Sequence, residues 1–255
     1  MAYAAEAGWR VPQRELQLFE GPWAEHALVQ EAGGAFCGLV TAVPHHKSGW
    51  IGNLIVASRL RGRGNGRRLF AAALEELTGR GMTSIWLTAS EQGRPLYQQY
   101  GFEVVGQIER WVLPPGRKTD VRAGAGAPLA QLLQADRDAW GEDRSPFLRQ
   151  LAGKGQLFCC EDALALLQSE KGLQLLGPWY SGSGTAQRPL LTEIVAAADP
   201  ARELVVDLFS SSSVQPWLAA AGFVRCGRSP LMARGETSAV QLQRMVSLAS
   251  LGSVG

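Results

Sequence analysis

Apolar residues along the 255-residue chain change their period several times, and each change marks an element. Leu28–Glu31 and Ala35–Val43 flank Ala32, Gly33 and Gly34 and read as a hairpin, since a Gly-Gly pair between strand-like runs is a turn signal. Trp50–Val56 is an apolar strand. From Arg67 the period becomes helical: Leu69, Phe70, Ala73, Leu74 and Leu77 fall on one face of a helix that stops at Gly79, Arg80 and Gly81. Ile85–Thr88 reads as a strand, Pro95–Tyr100 as a short helix and Glu103–Leu113 as a strand. Hairpins followed by a strand–helix–strand unit imply an α/β protein with a mixed sheet and helices on both of its faces.

Part of this pattern recurs. At an offset of 121, Ser84–Ser90 lies over Val205–Ser211, Gly101 and Phe102 over Gly222 and Phe223, and Gly106 over Gly227. Each copy reads as a buried strand, a loop, a short helix, a Gly-Phe turn and another strand. The Pro-, Gly- and Ala-rich stretch from Pro114 to Pro128 is the expected boundary, giving tandem domains at 1–118 and 119–255.

Composition narrows the classes. No stretch approaches ~18 uninterrupted apolar residues, so no membrane span is expected. The start of the chain lacks a basic segment followed by an apolar run, and a cytoplasmic location is the expectation. Four cysteines without a CxxC and three histidines support neither a disulfide framework nor a zinc site, so no metal is expected. A net charge of +2 is too small for a general polyanion binder. Arg59, Arg61, Arg63, Arg67 and Arg68 nevertheless crowd one short stretch. Nucleic-acid binding there is disfavoured, because no aromatic residue interleaves with them.

That stretch carries the chemistry. A buried strand ending at Val56 runs through a loop with Gly62, Gly64 and Gly66 into the helix that bears Leu69. Such glycines let backbone N–H groups converge on an anion, and a helix N-terminus adds partial positive charge. The pattern completes neither a dinucleotide GxGxxG nor a nucleoside-triphosphate P-loop. Arg61–Gly66 instead resembles the R-x-x-G-x-G/A coenzyme A loop of the GCN5-related N-acetyltransferase (GNAT) superfamily. Some thirty residues on, Gly93–Phe102 is similar to the second coenzyme motif of that superfamily. Ala7–Trp9, Gly49–Gly52 and the Leu96–Phe102 block resemble a bacterial subgroup with two tandem GNAT-like domains, the second one divergent.

The resemblance implies roles for individual residues. Main-chain amides across Arg61, Gly62, Arg63, Gly64, Asn65, Gly66 and Arg67 would hold the pyrophosphate of acetyl-CoA. Leu54, Ile55 and Val56, on a splayed strand, would bind the pantetheine as an added strand would and polarise the thioester carbonyl. Tyr97 matches the position that protonates or binds the departing sulfur. An amine acceptor must lose a proton, yet Trp50–Val56 contains no acid. Glu91, His45 and His46 are candidate bases, and Asn53 a candidate to hold a water in a relay. Trp9 and Trp50 are candidate acceptor contacts. The usual first strand before the first helix is missing, and the sheet edge is expected to be completed another way.

In the second half Tyr97 corresponds to Leu218, and Leu176–Gly184 lacks the arginine that starts a coenzyme loop. This domain is expected to bind no coenzyme and to cover the acceptor side of the first, with Trp179 and Tyr180 lining a pocket. Asp136–Asp138 and Asp143–Arg144 read as a solvated charged helix and turn. Val240, Leu242, Met245, Val246 and Leu248 read as a terminal helix with a frayed Ser/Gly end. The function expected is acetyl transfer from acetyl-CoA to the amine of a small or amino-acid-like molecule in a ternary complex, by a monomer or homodimer. An acyl-CoA sensor without turnover is the alternative.

Overall fold

A computed structural model describes residues 12–116, 126–153, 155–169 and 172–255. In chain order the elements are α1 (Gln13–Glu20), β1 (Ala27–Ala32), β2 (Ala35–Pro44), β3 (Ser48–Val56), α2 (Asn65–Gly79), β4 (Ser84–Thr88), α3 (Arg94–Gln99), β5 (Glu103–Leu113), α4 (Leu129–Trp140), α5 (Ser145–Ala152), β6 (Gln156–Cys160), β7 (Ala163–Ser169), β8 (Leu173–Ser181), α6 (Gln187–Ala197), β9 (Glu203–Phe209), α7 (Gln215–Ala220), β10 (Val224–Gly235) and β11 (Met245–Ser247). They form two compact units, and the division is not a single cut between residues 118 and 119. The first unit takes Met1–Val105, Leu231–Thr237 and Leu251–Gly255; the second takes Gly106–Pro230 and Ser238–Ser250. Trp9 and the start of the chain, where the usual first strand is expected to be missing, lie outside the described residues.

In the first unit β1, β2 and β3 are antiparallel neighbours. Gly33 and Gly34 turn the β1–β2 hairpin with φ of 58° and 73°, the positive pair that a two-residue turn matched to strand twist requires. β3 and β4 are parallel. One face of this sheet is covered by α2, whose Leu69, Phe70, Ala73, Leu74 and Leu77 are buried with Val40, Ala42, Ile51, Ile85 and Leu87. The helical spacing of these apolar residues thus becomes a single packed stripe. On its other edge β4 pairs antiparallel with Leu231–Gly235, the second part of β10. The strand that follows α3 in sequence does not fill that place.

The second unit repeats the plan. β6, β7 and β8 are antiparallel, β8 and β9 are parallel, and α6 buries Leu190, Leu191 and Ile194 in the core. Here β9 pairs antiparallel with Ile108–Leu113 of β5, the strand after the first Gly-Phe turn. Each repeat therefore gives its last strand to the sheet of the other. The offset of 121 holds at both turns. Arg94–Gln99 maps onto Gln215–Ala220, Gly101 and Gly222 have φ of 79° and 92°, and Phe102 and Phe223 donate N–H to Tyr97 O and Leu218 O at 3.2 and 3.0 Å.

Two expectations for the second half are corrected. The charges around α4 are not all solvated: Asp136 and Arg144 are buried as an ion pair, with Arg144 Nη2 3.1 Å from Asp136 Oδ2. Tyr180 donates its hydroxyl to the same oxygen at 2.5 Å, and the Arg144 guanidinium lies 4.0 Å from the centre of the Trp140 ring. Nor is there a terminal helix. Leu242–Arg244 makes one 3-10 turn, and Met245–Ser247 is the strand β11. The end is not frayed either, since Ser253 and Val254 are buried.

Candidate active site

The site begins with a break in strand regularity. Between the pairs Thr41↔Gly52 and Leu39↔Ile55, β3 takes three steps where β2 takes two. This is a bulge, and Asn53 sits in it with φ of 51°. The parallel pairing of β3 with β4 covers Ser48, Gly49 and Trp50 only. Beyond Trp50 the two strands part, so Leu54, Ile55 and Val56 have β2 on one side and no strand on the other. An extended ligand fits such an edge as an added strand does.

From Val56 the chain enters the glycine loop. Gly62 and Gly64 have φ of 74° and 78°, and an added Cβ at either would meet nothing within 4 Å. Glycine is required there by the backbone rather than by space. Gly64 caps α2, and Arg68 N donates to Gly64 O at 3.1 Å. The six successive N–H groups from Gly62 to Arg67 have no backbone acceptor among the described residues. Asn65 fixes the turn from within: its Nδ2 donates to Leu60 O at 2.9 Å, and its Oδ1 accepts from Arg68 and Gln30. Arg61 Nε donates to Val56 O at 3.1 Å, tying the loop to the strand end. Arg59, Arg61, Arg63, Arg67 and Arg68 have no carboxylate within ion-pair distance among the described residues, leaving a positive rim around the amides.

Arg67 reaches across to Gln99 of α3 at 2.5 Å, and α3 also carries Tyr97. The Tyr97 ring packs 4.8 Å from Phe70 of α2, in the same buried cluster as Phe102. Burial pushes its phenol up to about 12. Glu91 lies in an exposed turn just before α3. His45 and His46 occupy the β2–β3 turn, at the opposite end of β3 from the loop. His45 N donates to Ser48 O, five strand steps from Asn53, so at ~3.3 Å per residue the two histidines lie roughly 16–20 Å from the bulge, and they are set aside as bases. Asn53 Nδ2 donates to Thr41 Oγ1 at 3.4 Å, which leaves Oδ1 as an acceptor at the bulge.

The strand thus parts from its neighbour near a bulge, and a run of amides without backbone acceptors among the described residues follows it. The sequence profile described as "Acetyltransferase (GNAT) family" matches residues 2–102. Residues 2–102 belong to the GNAT family. Among curated proteins, the chain is similar to the uncharacterized N-acetyltransferase YitH of Bacillus subtilis, with 29% identity over 164 residues. That match covers 62% of this chain and 55% of YitH, so the chain spans little more than half of that relative. Among solved structures, a candidate acetyltransferase from Pyrococcus horikoshii superposes with a TM-score of 0.76 at 20% identity, over 94% of this chain and 83% of that one. A GCN5-related N-acetyltransferase from Sphaerobacter thermophilus gives 0.62 at 19% identity, over 89% and 87%. At these identities the two structures establish the fold, a GNAT-type mixed sheet along nearly the whole chain.

The second repeat of the GNAT-type fold differs at the same two places. β8 has its own bulge, three steps against two between Ala165↔Trp179 and Leu167↔Leu176. The opening that follows is filled by β11, which pairs with Tyr180 and Trp179 of β8 and with Leu208 of β9. Gln168 Nε2 and the Ser247 hydroxyl hold this insertion through Ala249 O and Leu176 O. At the turn after β8, the Ser183 hydroxyl donates to Asp162 Oδ1 at 3.0 Å. A carboxylate thus occupies the place where the GNAT domain has bare amides. Trp179 and Tyr180 are core residues, 0% and 3% exposed, rather than residues of an open surface. Trp50 is equally buried at 1%. No group of three or more His, Cys, Asp or Glu that could hold a metal occurs among the described residues, and no helix there is long and apolar enough to cross a membrane.

Proposed function

We propose that the GNAT domain transfers an acetyl group from acetyl-CoA directly to the amine of a small or amino-acid-like acceptor. The observation that carries this reading is the run of six N–H groups from Gly62 to Arg67 with no backbone acceptor among the described residues, set at the end of a splayed strand. These amides and the α2 N-terminus receive the pyrophosphate; the dipole alone contributes about 0.3–1 kcal/mol, so the amides and the arginine rim supply the rest. The free edge of Leu54–Val56 receives the pantetheine and donates to the thioester oxygen as negative charge develops there. In the reaction the amine nitrogen bonds to the acyl carbon, the carbon–sulfur bond breaks, and the nitrogen gives up its proton. Asn53 Oδ1 accepts from the ammonium or from a water that carries its proton away. Neither motif contains a cysteine to carry a covalent intermediate.

Tyr97 acts on the leaving group. A phenol near 12 stays protonated throughout the neutral range, whereas an ordinary thiol titrates near 8.5. Full proton transfer from phenol to thiolate is then uphill by roughly 3–4 pH units, about 5 kcal/mol. The hydroxyl therefore donates a hydrogen bond to the sulfur as charge builds, and water supplies the final proton. Tyr97→Phe should lower kcat roughly 10- to 100-fold with coenzyme affinity changed less than about twofold. Its pH profile should keep the wild-type shape up to pH 10. An unchanged kcat in stopped-flow thiol detection removes Tyr97 from the mechanism.

We infer a single coenzyme per chain, because β11 and Asp162 occupy the corresponding places in the second unit. Calorimetric titration of the full chain with coenzyme A should fit one site; two equal sites would overturn this. Release of thiol from acetyl-CoA with a broad amine panel tests the transfer itself. Tight binding without release from any amine would make the protein an acyl-CoA sensor instead.

A further inference from the structure

The last described residues of the chain, Leu251–Gly255, belong to the first unit, and they lie at the point where β3 and β4 part. Along β3, Gly49 and Ile51 face α2: a Cβ on Gly49 would meet Leu77, and Ile51 is in the α2 core. Trp50 and Gly52 therefore face the other side of the sheet, away from α2. There the terminal segment covers them. Trp50 Nε1 donates to Gly252 O at 3.0 Å. A Cβ on Gly52 would lie 2.3 Å from Ser253 O, so backbone is laid directly on backbone. A Cβ on Gly252 would lie 2.5 Å from the Thr88 hydroxyl, at the last residue of β4, and one on Gly255 would lie 2.8 Å from the Trp50 ring. Val254 is wholly buried.

Such closeness is more than an end at rest on a surface. Gly52 precedes the bulge residue Asn53, and Thr88 ends the strand on the far side of the opening. The segment spans both lips of the gap on the face opposite the coenzyme helix. An amine that attacks a thioester held along Leu54–Val56 on one side must reach it past this strap. We propose that Leu251–Gly255 forms the acceptor-side wall of the acyl site and keeps bulk water from the thioester. The proposal rests on the reading of the Leu54–Val56 edge as the acyl site. It assigns Gly52 and Trp50 as positioning residues that seat the wall, Gly52 by leaving room and Trp50 by its hydrogen bond.

The wall has a measurable counter-reaction. Without it, water attacks the acyl carbon, the carbon–sulfur bond breaks, and acetate and the coenzyme thiol leave; one proton of the water goes to the thiol and the other to solvent. Three variants of the full chain test this: deletion of Leu251–Gly255, Gly52→Ala, which pushes the strap off β3, and Trp50→Phe, which removes the Nε1–H donor with the pyrrole part of the indole and keeps an aromatic ring there. The probe is acetyl-CoA with no amine present. Thiol release should rise at least tenfold on deletion and severalfold for Gly52→Ala and Trp50→Phe, with the Kd for coenzyme A within twofold of wild type in all three. Release at the wild-type rate with intact coenzyme affinity overturns the wall. A parallel loss of coenzyme affinity in all three also overturns it, since the segment would then only hold the domain together. Failure of the unaltered chain to bind coenzyme A is a different result, which defeats the acyl-site reading itself.

Discussion

Replacing Gly64 with valine should weaken coenzyme A binding at least about 100-fold, or roughly 2.7 kcal/mol. Gly64 holds φ of 78° and ψ of 0° at the cap of α2. A side chain in this left-handed conformation costs about 1–2 kcal/mol, and a β-branched one is a genuine outlier there. Nothing lies within 4 Å of the added Cβ, so the loop is free to escape by turning φ negative. That rotation swings the peptide planes on either side of residue 64 and destroys the convergence of the Gly62–Arg67 amides. The penalty then appears in binding rather than in folding, because Gly64 is exposed and outside the core. Gly66→Ala gives the contrast: its φ is not positive, the nearest atom to the new Cβ is Val56 Cγ2 at 3.7 Å, and a much smaller loss is expected. Calorimetry beside thermal unfolding separates the two effects. Coenzyme affinity within threefold of wild type for Gly64→Val would show that the pyrophosphate lies elsewhere.

Arg144→Ala should remove about 3–5 kcal/mol of stability from the second unit. The Asp136 carboxylate is 1% exposed and faces a guanidinium equally buried, so the substitution leaves an acid in the core with the Tyr180 hydroxyl as its remaining hydrogen-bond partner among the described residues. At roughly 2–4 °C per kcal/mol for domains of this size, Tm falls by about 6–20 °C. The loss depends on pH with a definite sign. Burial already holds the Asp136 carboxyl above its ordinary range, and the charge of Arg144 works against that rise. Without Arg144 the folded-state value climbs further above the unfolded one, near 4. Stability tied to the protonated acid is complete below the unfolded value and is lost as pH rises through the folded one. Calorimetry at pH 5 and pH 8 should therefore find the larger deficit at pH 8, and adding Asp136→Asn should recover part of it. An equal and small deficit at both values would mean that the pair contributes little.

What the sequence disclosed and what it hid follow a physical line. The Gly33–Gly34 hairpin, the apolar stripe of α2 and the Gly62–Gly64 loop are each specified by residues adjacent in the chain. Local rules of φ and period are therefore enough to read them. The Gly-Phe turns are legible for the same reason. The destination of the strand after each turn is not, because β4 and β9 present equivalent edges and the pattern of β5 or β10 suits either. β11 borrows its hydrogen bonds from two neighbours far away in sequence. A run such as Met245–Leu248 has no propensity of its own strong enough to reveal that. Asp136 and Arg144 looked solvated because charges near one another usually are. Their burial depends on Tyr180, 44 residues beyond Asp136. The base was sought among acids and histidines, yet Glu91 is exposed and the histidines are at the wrong end of β3. The sequence already offers Asn53 as a candidate to hold a relay water; its place in the bulge and its positive φ are what only the structure displays.

The exchange of last strands reaches into how the protein is made and kept. The free edge of β4 is closed by Leu231–Gly235, about 125 residues after Val105 leaves the ribosome. At about 5–20 residues per second the first sheet waits roughly 6–25 s with a strand edge open, the kind of edge that invites pairing with a neighbouring chain. The same linkage works on the gene. A deletion that discards the second copy also takes a strand from the first, so a duplication that traded strands in this way is hard to undo. Either repeat taken alone would lack the strand that closes its own sheet.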